Sequence, residues 1–165
     1  MRRAKSEERV PRAASEPYGY ALNLLAARAY TVRDMRRKLA RKGFETNEVT
    51  QTVDRLVSSG LLDDARFAAE FARQRLVVGG ASQRRVEQLL AGKGIARDLA
   101  RASAARVVEE EDVDTLGSME RIARKKVASM GGLEPLVARR RLFGFLARKG
   151  YDLDDIKQVV SHILP

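Results

Sequence analysis

The sequence contains the stretch Leu39-Ala40-Arg41-Lys42-Gly43-Phe44, and two close copies of it follow further along the chain. The second copy is Leu90-Ala91-Gly92-Lys93-Gly94-Ile95, and the third is Leu146-Ala147-Arg148-Lys149-Gly150-Tyr151. Each copy places a leucine and a lysine before a glycine and an apolar residue after it, which is the pattern of a helix that ends in a left-handed glycine cap. The stretch therefore predicts the same helix ending at three places.

The sequence around the three copies repeats as well. An apolar residue lies four positions before each leucine, and another lies five positions after the residue that follows each glycine. The first set is Met35, Val86 and Leu142, and the second set is Val49, Ala100 and Ile156. Because helical residues flank the glycine on both sides, the pattern predicts a helix–turn–helix unit that occurs three times in tandem.

Cap residues and apolar periodicity predict nine helices in total. Thr31, Asp63, Ser82 and Asp152 are the expected N-caps, and Pro17 suits a first helical turn. The predicted helices cover about 17–30, 32–42, 47–59, 64–78, 83–93, 97–110, 115–130, 135–149 and 153–163. On the fourth helix we expect Phe67, Phe71 and Leu76 to be buried.

The pattern predicts an all-α fold of three tandem three-helix repeats, since no stretch alternates with period two for long. A repeat of this length buries too little surface to be stable alone, so we expect each one to pack on the next and form an elongated, curved molecule. The expected organisation is a disordered basic leader at 1–15, followed by repeats at 16–61, 62–110 and 111–165.

The composition limits the classes of function. The chain has 32 basic and 22 acidic residues, a net charge of +10, one histidine and no cysteine. It therefore has neither disulfides nor a thiolate metal site, and the absence of a long apolar run or signal sequence predicts a cytoplasmic protein without a membrane anchor. The excess of positive charge favours a polyanion or an acidic protein surface as partner, although such charge can also serve solubility alone.

The sequence carries no arrangement typical of catalysis. The consecutive acids Glu109–Asp112 would point in different directions on a helix, which favours a solvated helix end over a metal site. Gly79-Gly80 precedes Ser82, but both the strand and the Gly-Lys-Ser/Thr ending of a phosphate loop are missing. No nucleophile lies in a pattern with a base. We predict a protein that is not an enzyme and that uses no cofactor and no metal.

The candidate binding residues are arginines. On the second helix Arg33, Arg37 and Arg41 recur at four-residue spacing opposite the apolar side. The matching stripe is thin in the second repeat, where Arg73, Arg75, Arg84 and Arg85 would form one cluster if Gly79-Gly80 makes a tight turn. In the third repeat the candidates are Arg139, Arg140, Arg141 and Arg148. Arginine suits forked contacts with phosphates and carboxylates, but a solvated charged face is the alternative for any single one.

The lysines of the three copies have a simpler explanation. Lys42, Lys93 and Lys149 each lie near the predicted end of a helix. A cation there interacts favourably with the helix dipole, by about 0.3–1 kcal/mol. We therefore expect a structural role for these lysines.

The chain resembles the RecX family, bacterial regulatory proteins that bind the RecA recombinase. The most specific segment is Gly60-Leu-Leu-Asp-Asp-Ala-Arg-Phe-Ala68, which joins the first two repeats. The resemblance spans about 17–163, and an unusually alanine-rich sixth helix departs from it. The supporting residues are Ala21-Leu22, Leu25-Ala26, Arg28, 36–44, Leu89-Leu90, Lys93-Gly94-Ile95, Arg140-Arg141-Leu142 and 145–151.

The resemblance implies binding of the RecA filament on single-stranded DNA, in the groove of the filament. It also implies inhibition of recombinase, ATPase and coprotease activities in DNA repair, recombination and the SOS response. The arginines named above would be the filament or DNA contacts of a monomeric protein. The alternative is a helix-turn-helix-like DNA-binding protein without a recombinase partner. Against it, no repeat shows an obvious recognition helix with base-reading residues at its N-terminus.

Overall fold

The computed structural model describes residues 16–165, so the predicted leader at 1–15 lies outside the described residues. Within this range the chain forms nine α-helices and no strand, which confirms the all-α prediction. The helices are α1 Pro17–Ala27, α2 Val32–Lys42, α3 Thr46–Ser58, α4 Asp64–Arg73, α5 Gln83–Gly92, α6 Arg97–Glu110, α7 Thr115–Ala128, α8 Pro135–Lys149 and α9 Leu153–Ile163.

The helices form three successive units, each with its own apolar core. The first unit (α1–α3) encloses Met35 and Leu39, and the second unit (α4–α6) encloses Leu76 and Leu90. The third unit (α7–α9) encloses a core with a fully buried Leu146. The buried residues of α2, α5 and α8 are the apolar residues of the sequence repeat, so the repeat sets the middle helix of every unit.

The predicted caps are present at both ends of α2 and α5 and at the C-terminal end of α8. The Thr31 hydroxyl accepts a hydrogen bond from the Asp34 amide at 3.1 Å, and the Ser82 hydroxyl accepts one from the Arg85 amide at 3.2 Å. The three repeated glycines adopt the left-handed conformation, with φ values of 101°, 87° and 86° in chain order. The thrice-repeated stretch thus specifies a helix end, as predicted.

Two helices end earlier than predicted. The first helix was expected to reach about Tyr30, but α1 ends at Ala27 because Arg28 has an extended backbone. This turn brings Tyr30 into the first core, where it is 8% exposed, with the Arg28 guanidinium 4.5 Å from the centre of its ring. Likewise α7 ends at Ala128, before the predicted Met130.

The prediction for the aromatic residues of the fourth helix holds only in part, since both pack against the second core without being fully buried. Phe67 and Phe71 are only half-buried, because α4 packs on α6 through the fully buried Ala68 and Ala72. The alanine-rich α6 supplies the matching small side chains, so the two helices approach closely. The two phenylalanine rings stack on each other at 5.9 Å beside this contact, while Leu76 is buried as predicted.

A π-helical turn at Gln74–Val78 follows α4, where the sequence predicted a continuous α-helix to the glycine pair. A π-turn widens the helix by one residue and is often found at functional positions. Here it leads directly to Gly79 and Gly80, whose carbonyl groups contact the third unit.

The first and second units are joined at the N-terminus of α2. While the Thr31 hydroxyl caps α2, it also donates a hydrogen bond to the Lys93 carbonyl at 3.0 Å. The Val32 amide donates to the Asp64 carboxylate at 2.9 Å, and the Arg33 guanidinium donates to the Gly92 carbonyl. The Lys-Gly end of α5 is therefore docked on the N-terminus of α2.

The second and third units are joined in the same way. The Ser82 hydroxyl donates to the Gly150 carbonyl at 2.7 Å, and the Ser82 amide donates to the Lys149 carbonyl at 3.0 Å. Lys149 Nζ donates to the Gly79 carbonyl at 2.5 Å, and the buried Tyr151 hydroxyl donates to the Gly80 carbonyl at 3.1 Å. Each junction thus places the Lys-Gly end of one unit on the capping hydroxyl of the unit before it.

Tyr151 makes the second junction sensitive to high pH. Burial raises the pKa of Tyr151 to about 12, and the nearby Arg121 opposes the shift only in part. The unfolded chain releases this proton near pH 10, so the contribution of the tyrosine is full below pH 10 and is lost as the pH rises towards 12.

We expect Tyr151→Phe to remove this pH dependence. At pH 7 the variant should melt a few degrees below the wild type, since it lacks the hydrogen bond to Gly80. Between pH 9 and 11.5 the difference in melting temperature should shrink, because only the wild type has the Tyr151 phenol to ionise. Thermal melts of both proteins across this range measure the difference, and a constant gap would contradict the assignment. Lysine titration is common to both proteins and cancels.

Candidate interaction surface

The three arginines predicted on α2 have different environments. Arg33 lies at the junction between the first two units, where its side chain covers Gly94. Arg37 forms an ion pair with Asp34 at 2.9 Å, within its own helix. Arg41 is exposed and has no ion pair within residues 16–165. Of the three arginines in this stripe, Arg33 therefore belongs to the junction between units, whereas Arg41 belongs to the open surface.

The structure gives separate partners to most arginines of the predicted second cluster. The Arg73 guanidinium binds Glu111 at 2.7 Å and Glu110 at 3.5 Å, and the hydrogen bond to Glu111 is the main cause that raises the pKa of Arg73. Arg75 lies 5.1 Å from the centre of the Phe71 ring. Arg85 packs its Cβ against Gly150 at the second junction, and Arg84 is the exposed member of the pair.

The same contacts explain the acidic run at 109–112. Two of its carboxylates hold Arg73 across from α4, and Arg106 adds a further pair with Glu110 at 3.3 Å. In residues 16–165 no group of three or more histidine, aspartate or glutamate side chains is arranged to hold a metal ion. The run therefore fixes the end of α6 against α4.

The third unit presents an open basic surface. Arg139 faces the C-terminal segment and donates to the Leu164 carbonyl at 2.7 Å. The other three predicted arginines line a shallow groove of about 770 Å³ on the outer face of α8, which we call the α8 groove. Its α8 residues are Leu136, Val137, Arg140, Arg141, Gly144 and Arg148, and α7 contributes Lys126.

A second concave surface lies where α1 meets α4, and the sequence did not predict it. A cleft of about 560 Å³ is walled by Leu25, Tyr30, Phe67 and Phe71. Carboxylates and one arginine lie on its rim, namely Asp63, Glu70 and Arg66. The only sequence signal for this cleft is the aromatic pair on α4, which we had assigned to the core.

All three recurring lysines have structural partners, and Lys42 Nζ lies 5.5 Å from the centre of the Tyr20 ring. Lys93 Nζ lies 5.7 Å and 5.5 Å from the ring centres of Phe67 and Phe71, and Lys149 Nζ lies 5.7 Å from that of Phe145. These distances suit cation–π contacts. Together with the hydrogen bond from Lys149 to Gly79, they support a structural role for the lysines.

The fold and the surface define a class: an all-α protein of tandem three-helix units whose exposed functional groups are mainly arginines. Comparison with protein families identifies each unit. Residues 18–56 match the first three-helix domain of RecX, residues 63–103 match the second, and residues 113–160 match the third.

Whole-chain relatives agree. A regulatory protein RecX of Amycolatopsis mediterranei is 36% identical over 129 residues, which are 78% of this chain and 72% of the relative. The regulatory protein RecX of Trichlorobacter lovleyi is 34% identical over 88% of this chain and 94% of its own. The crystal structure of RecX from Lactobacillus salivarius superposes with a TM-score of 0.67 at 17% identity, covering 90% of this chain and 95% of that one.

The chain therefore belongs to the RecX family. This is a family of regulatory proteins and not of enzymes, as predicted from the sequence. The described helices are each too short or too polar to cross a membrane.

Proposed function

We propose that this protein is a cytoplasmic, monomeric regulator that binds the RecA recombinase filament on single-stranded DNA and inhibits its recombinase, ATPase and coprotease activities. The observation that carries the proposal is the match of all three units to the regulatory family. Such a protein acts in DNA repair, recombination and the SOS response. It needs no cofactor, because blocking filament growth or locking the motion between subunits is a matter of binding alone.

The architecture supports a long, repetitive partner. Three units in a row, each with a separate core, present successive surfaces that can follow a filament over several subunits. The predicted unit boundaries at 61/62 and 110/111 are part of this proposal. The unequal arginine content of the units means that each one would meet a different part of the partner.

The proposed contacts are the exposed arginines of the three units. The arginines most open to a partner are Arg41 in the first unit, Arg84 in the second, and those of the α8 groove in the third. The other predicted arginines have partners within the chain and would contact the filament through their remaining N–H donors. They are Arg33, Arg37, Arg73, Arg75, Arg85 and Arg139. Arginine retains several N–H donors after one contact, so partial engagement does not exclude a second partner.

A DNA-binding protein without a recombinase partner is the second candidate. The helix–turn–helix arrangement within each unit and the net charge of +10 favour it. Binding through phosphates alone would depend steeply on salt, because each neutralised phosphate releases counterions.

Co-sedimentation distinguishes the two functions. The full chain is mixed with naked single-stranded DNA and with recombinase filaments on the same DNA, at 50 to 300 mM salt. We expect binding to the filament at least about ten-fold tighter than to the naked strand, with the weaker salt dependence of the two. Equal affinities with equally steep salt slopes would contradict the regulatory proposal and favour the DNA-binding one.

A further inference from the structure

We propose that the α8 groove binds a short acidic helix of a protein partner. The inference rests on the proposed function, since it assigns to this groove the protein contact of the recombinase filament. It goes beyond that function by naming the chemistry of the segment that is recognised.

The first turn of α8 exposes two apolar side chains that the core does not use. Leu136 is 81% exposed and Val137 is 42% exposed. The buried side of the helix consists of Ala138, Leu142 and Leu146, so the exposed pair lies away from the core. Neighbouring apolar residues with a charged rim are typical of a surface that contacts another protein.

The rim of the groove is uniformly basic. Four cations line the groove and no carboxylate does. Within residues 16–165 none of the four forms an ion pair. They are Lys126, Arg140, Arg141 and Arg148. The surface groove between α5 and α6 differs, because Glu87 and Asp98 lie there beside its arginines. An acidic ligand would therefore supply the missing charges of the α8 groove, through charge-assisted hydrogen bonds to the arginines.

The shape of the groove fits a helix. Leu136, Arg140, Gly144 and Arg148 recur every four residues and form a row about 18 Å long, the length of roughly twelve helical residues. Gly144 interrupts the row without a side chain. Glycine inside a helix costs about 1 kcal/mol relative to alanine, and a Cβ at this position would lie 3.4 Å from Arg148 Nη1, which is ordinary contact. Nothing in the fold requires glycine here, and its absence of a side chain lets a partner backbone come close.

A nucleic acid fits this groove less well. Phosphates would use the arginines but would leave Leu136 and Val137 exposed, and unpaired bases stack on aromatic rings. The residues that line the groove include no aromatic side chain. The combination of apolar pair, glycine and cations matches an acidic helix with one or two apolar residues.

The test uses the full chain with surface substitutions. One variant carries Leu136→Ser and Val137→Ser, a second carries Gly144→Leu, and a third carries Arg140→Gln and Arg148→Gln. The control is Leu116→Ser, which removes a leucine that is 53% exposed in the first turn of α7 and does not line the groove. Thermal melts establish that the variants are folded. The probes are recombinase filaments, a naked thirty-nucleotide strand, and a fourteen-residue helical peptide of Glu, Ala and Leu beside its scrambled version.

We expect all three groove variants to bind the filament and the acidic peptide at least about ten-fold more weakly than the wild type and the control. The double serine variant should bind the naked strand like the wild type. In the wild type, the peptide should shift the NMR signal of the Gly144 amide and the scrambled peptide should not. This readout stays decisive if a variant folds poorly.

The failures of the two proposals differ. If the wild type binds the filament and the groove variants bind it equally well, the groove proposal is overturned and the regulatory function stands. If the wild type ignores the filament, but binds the peptide in a groove-dependent way, the regulatory function fails and the acidic-helix site stands. If only the arginine variant loses binding, and it loses the naked strand as well, the groove is a nucleic-acid site and the proposal is wrong.

Discussion

Gly150→Ala is expected to destabilise the protein more than the same substitution at either of the other repeated glycines. Gly150 has a φ of +86°, and left-handed backbone costs a residue with a Cβ about 1–2 kcal/mol. An added Cβ would also lie 2.7 Å from Arg85 Cβ and 2.7 Å from Ser82 Oγ. Forcing it into this contact adds about 1–3 kcal/mol and displaces the third unit from the second.

Gly43 is the matched control because it lies at the same position of the first copy. Its φ is +101°, but a Cβ there would meet nothing within 4 Å. Gly43→Ala should therefore show the backbone strain alone. Gly94→Ala should lie between the two. Its Cβ would meet Arg33 Cδ and Nε at 2.6 Å, which can move aside, and Arg33 Cβ at 2.8 Å, which cannot. At Gly150 the contacts are with Arg85 Cβ and with Ser82 Oγ, which holds the junction.

Denaturant unfolding of the three alanine variants gives the order, and small-angle scattering reports whether the third unit has moved. We expect the loss of unfolding free energy to increase from Gly43 to Gly94 to Gly150, and an altered scattering profile for Gly150→Ala. Equal losses at all three positions would mean that strain alone matters and that the junctions contribute nothing to stability.

The secondary structure was largely predictable from the sequence because its signals are local. The caps at Thr31 and Ser82 and the glycine stops act within one helical turn, so a short window of sequence contains all the information. The helix ends that were wrong depend on distant packing. Arg28 leaves the helix because Tyr30 is needed in the first core, and the position of Phe67 depends on how closely α4 meets α6.

The junctions could not be predicted for the same reason. The sequence identified Thr31 and Ser82 as caps, but the second partners of their hydroxyl groups lie 62 and 68 residues away. The third unit differs from the first two at the position that forms these junctions. Its middle helix begins at Glu134 and Pro135 with no capping hydroxyl, so it lacks the group that docks a Lys-Gly end in the other two units.

The candidate surface was predictable in composition but not in arrangement. Sequence spacing grouped Arg73 with Arg75, Arg84 and Arg85, whereas the structure pairs Arg73 with the acidic run that we had described as a solvated helix end. The exposed Leu136 gave no signal, because a leucine in a helix is usually taken as part of the core. Which arginine is open depends on carboxylates from other helices, and these are distant in sequence.

The second large expected effect is the local unfolding of a single unit after a core substitution, because each unit has its own apolar core. Leu146→Ala removes a fully buried side chain from the third core, and such truncations cost about 2–5 kcal/mol. Because the third unit contacts the second only through a narrow junction, the loss should fall mainly on α7–α9. In contrast, Leu90→Ala in the second core should weaken all three units, since the second unit carries both junctions.

Amide hydrogen exchange with mass spectrometry measures this difference peptide by peptide. In Leu146→Ala we expect protection to fall strongly in α7–α9 and to remain near the wild-type level in α1–α3. In Leu90→Ala protection should fall in every unit, and the exposed Leu136→Ala is the control that should change little. If Leu146→Ala lowers protection equally along the whole chain, the molecule unfolds as one cooperative body and the narrow junctions transmit more stability than their few hydrogen bonds suggest. A local response would instead mean that one unit can rearrange while its neighbours stay folded, which would let the proposed regulator fit each unit to a different part of its partner.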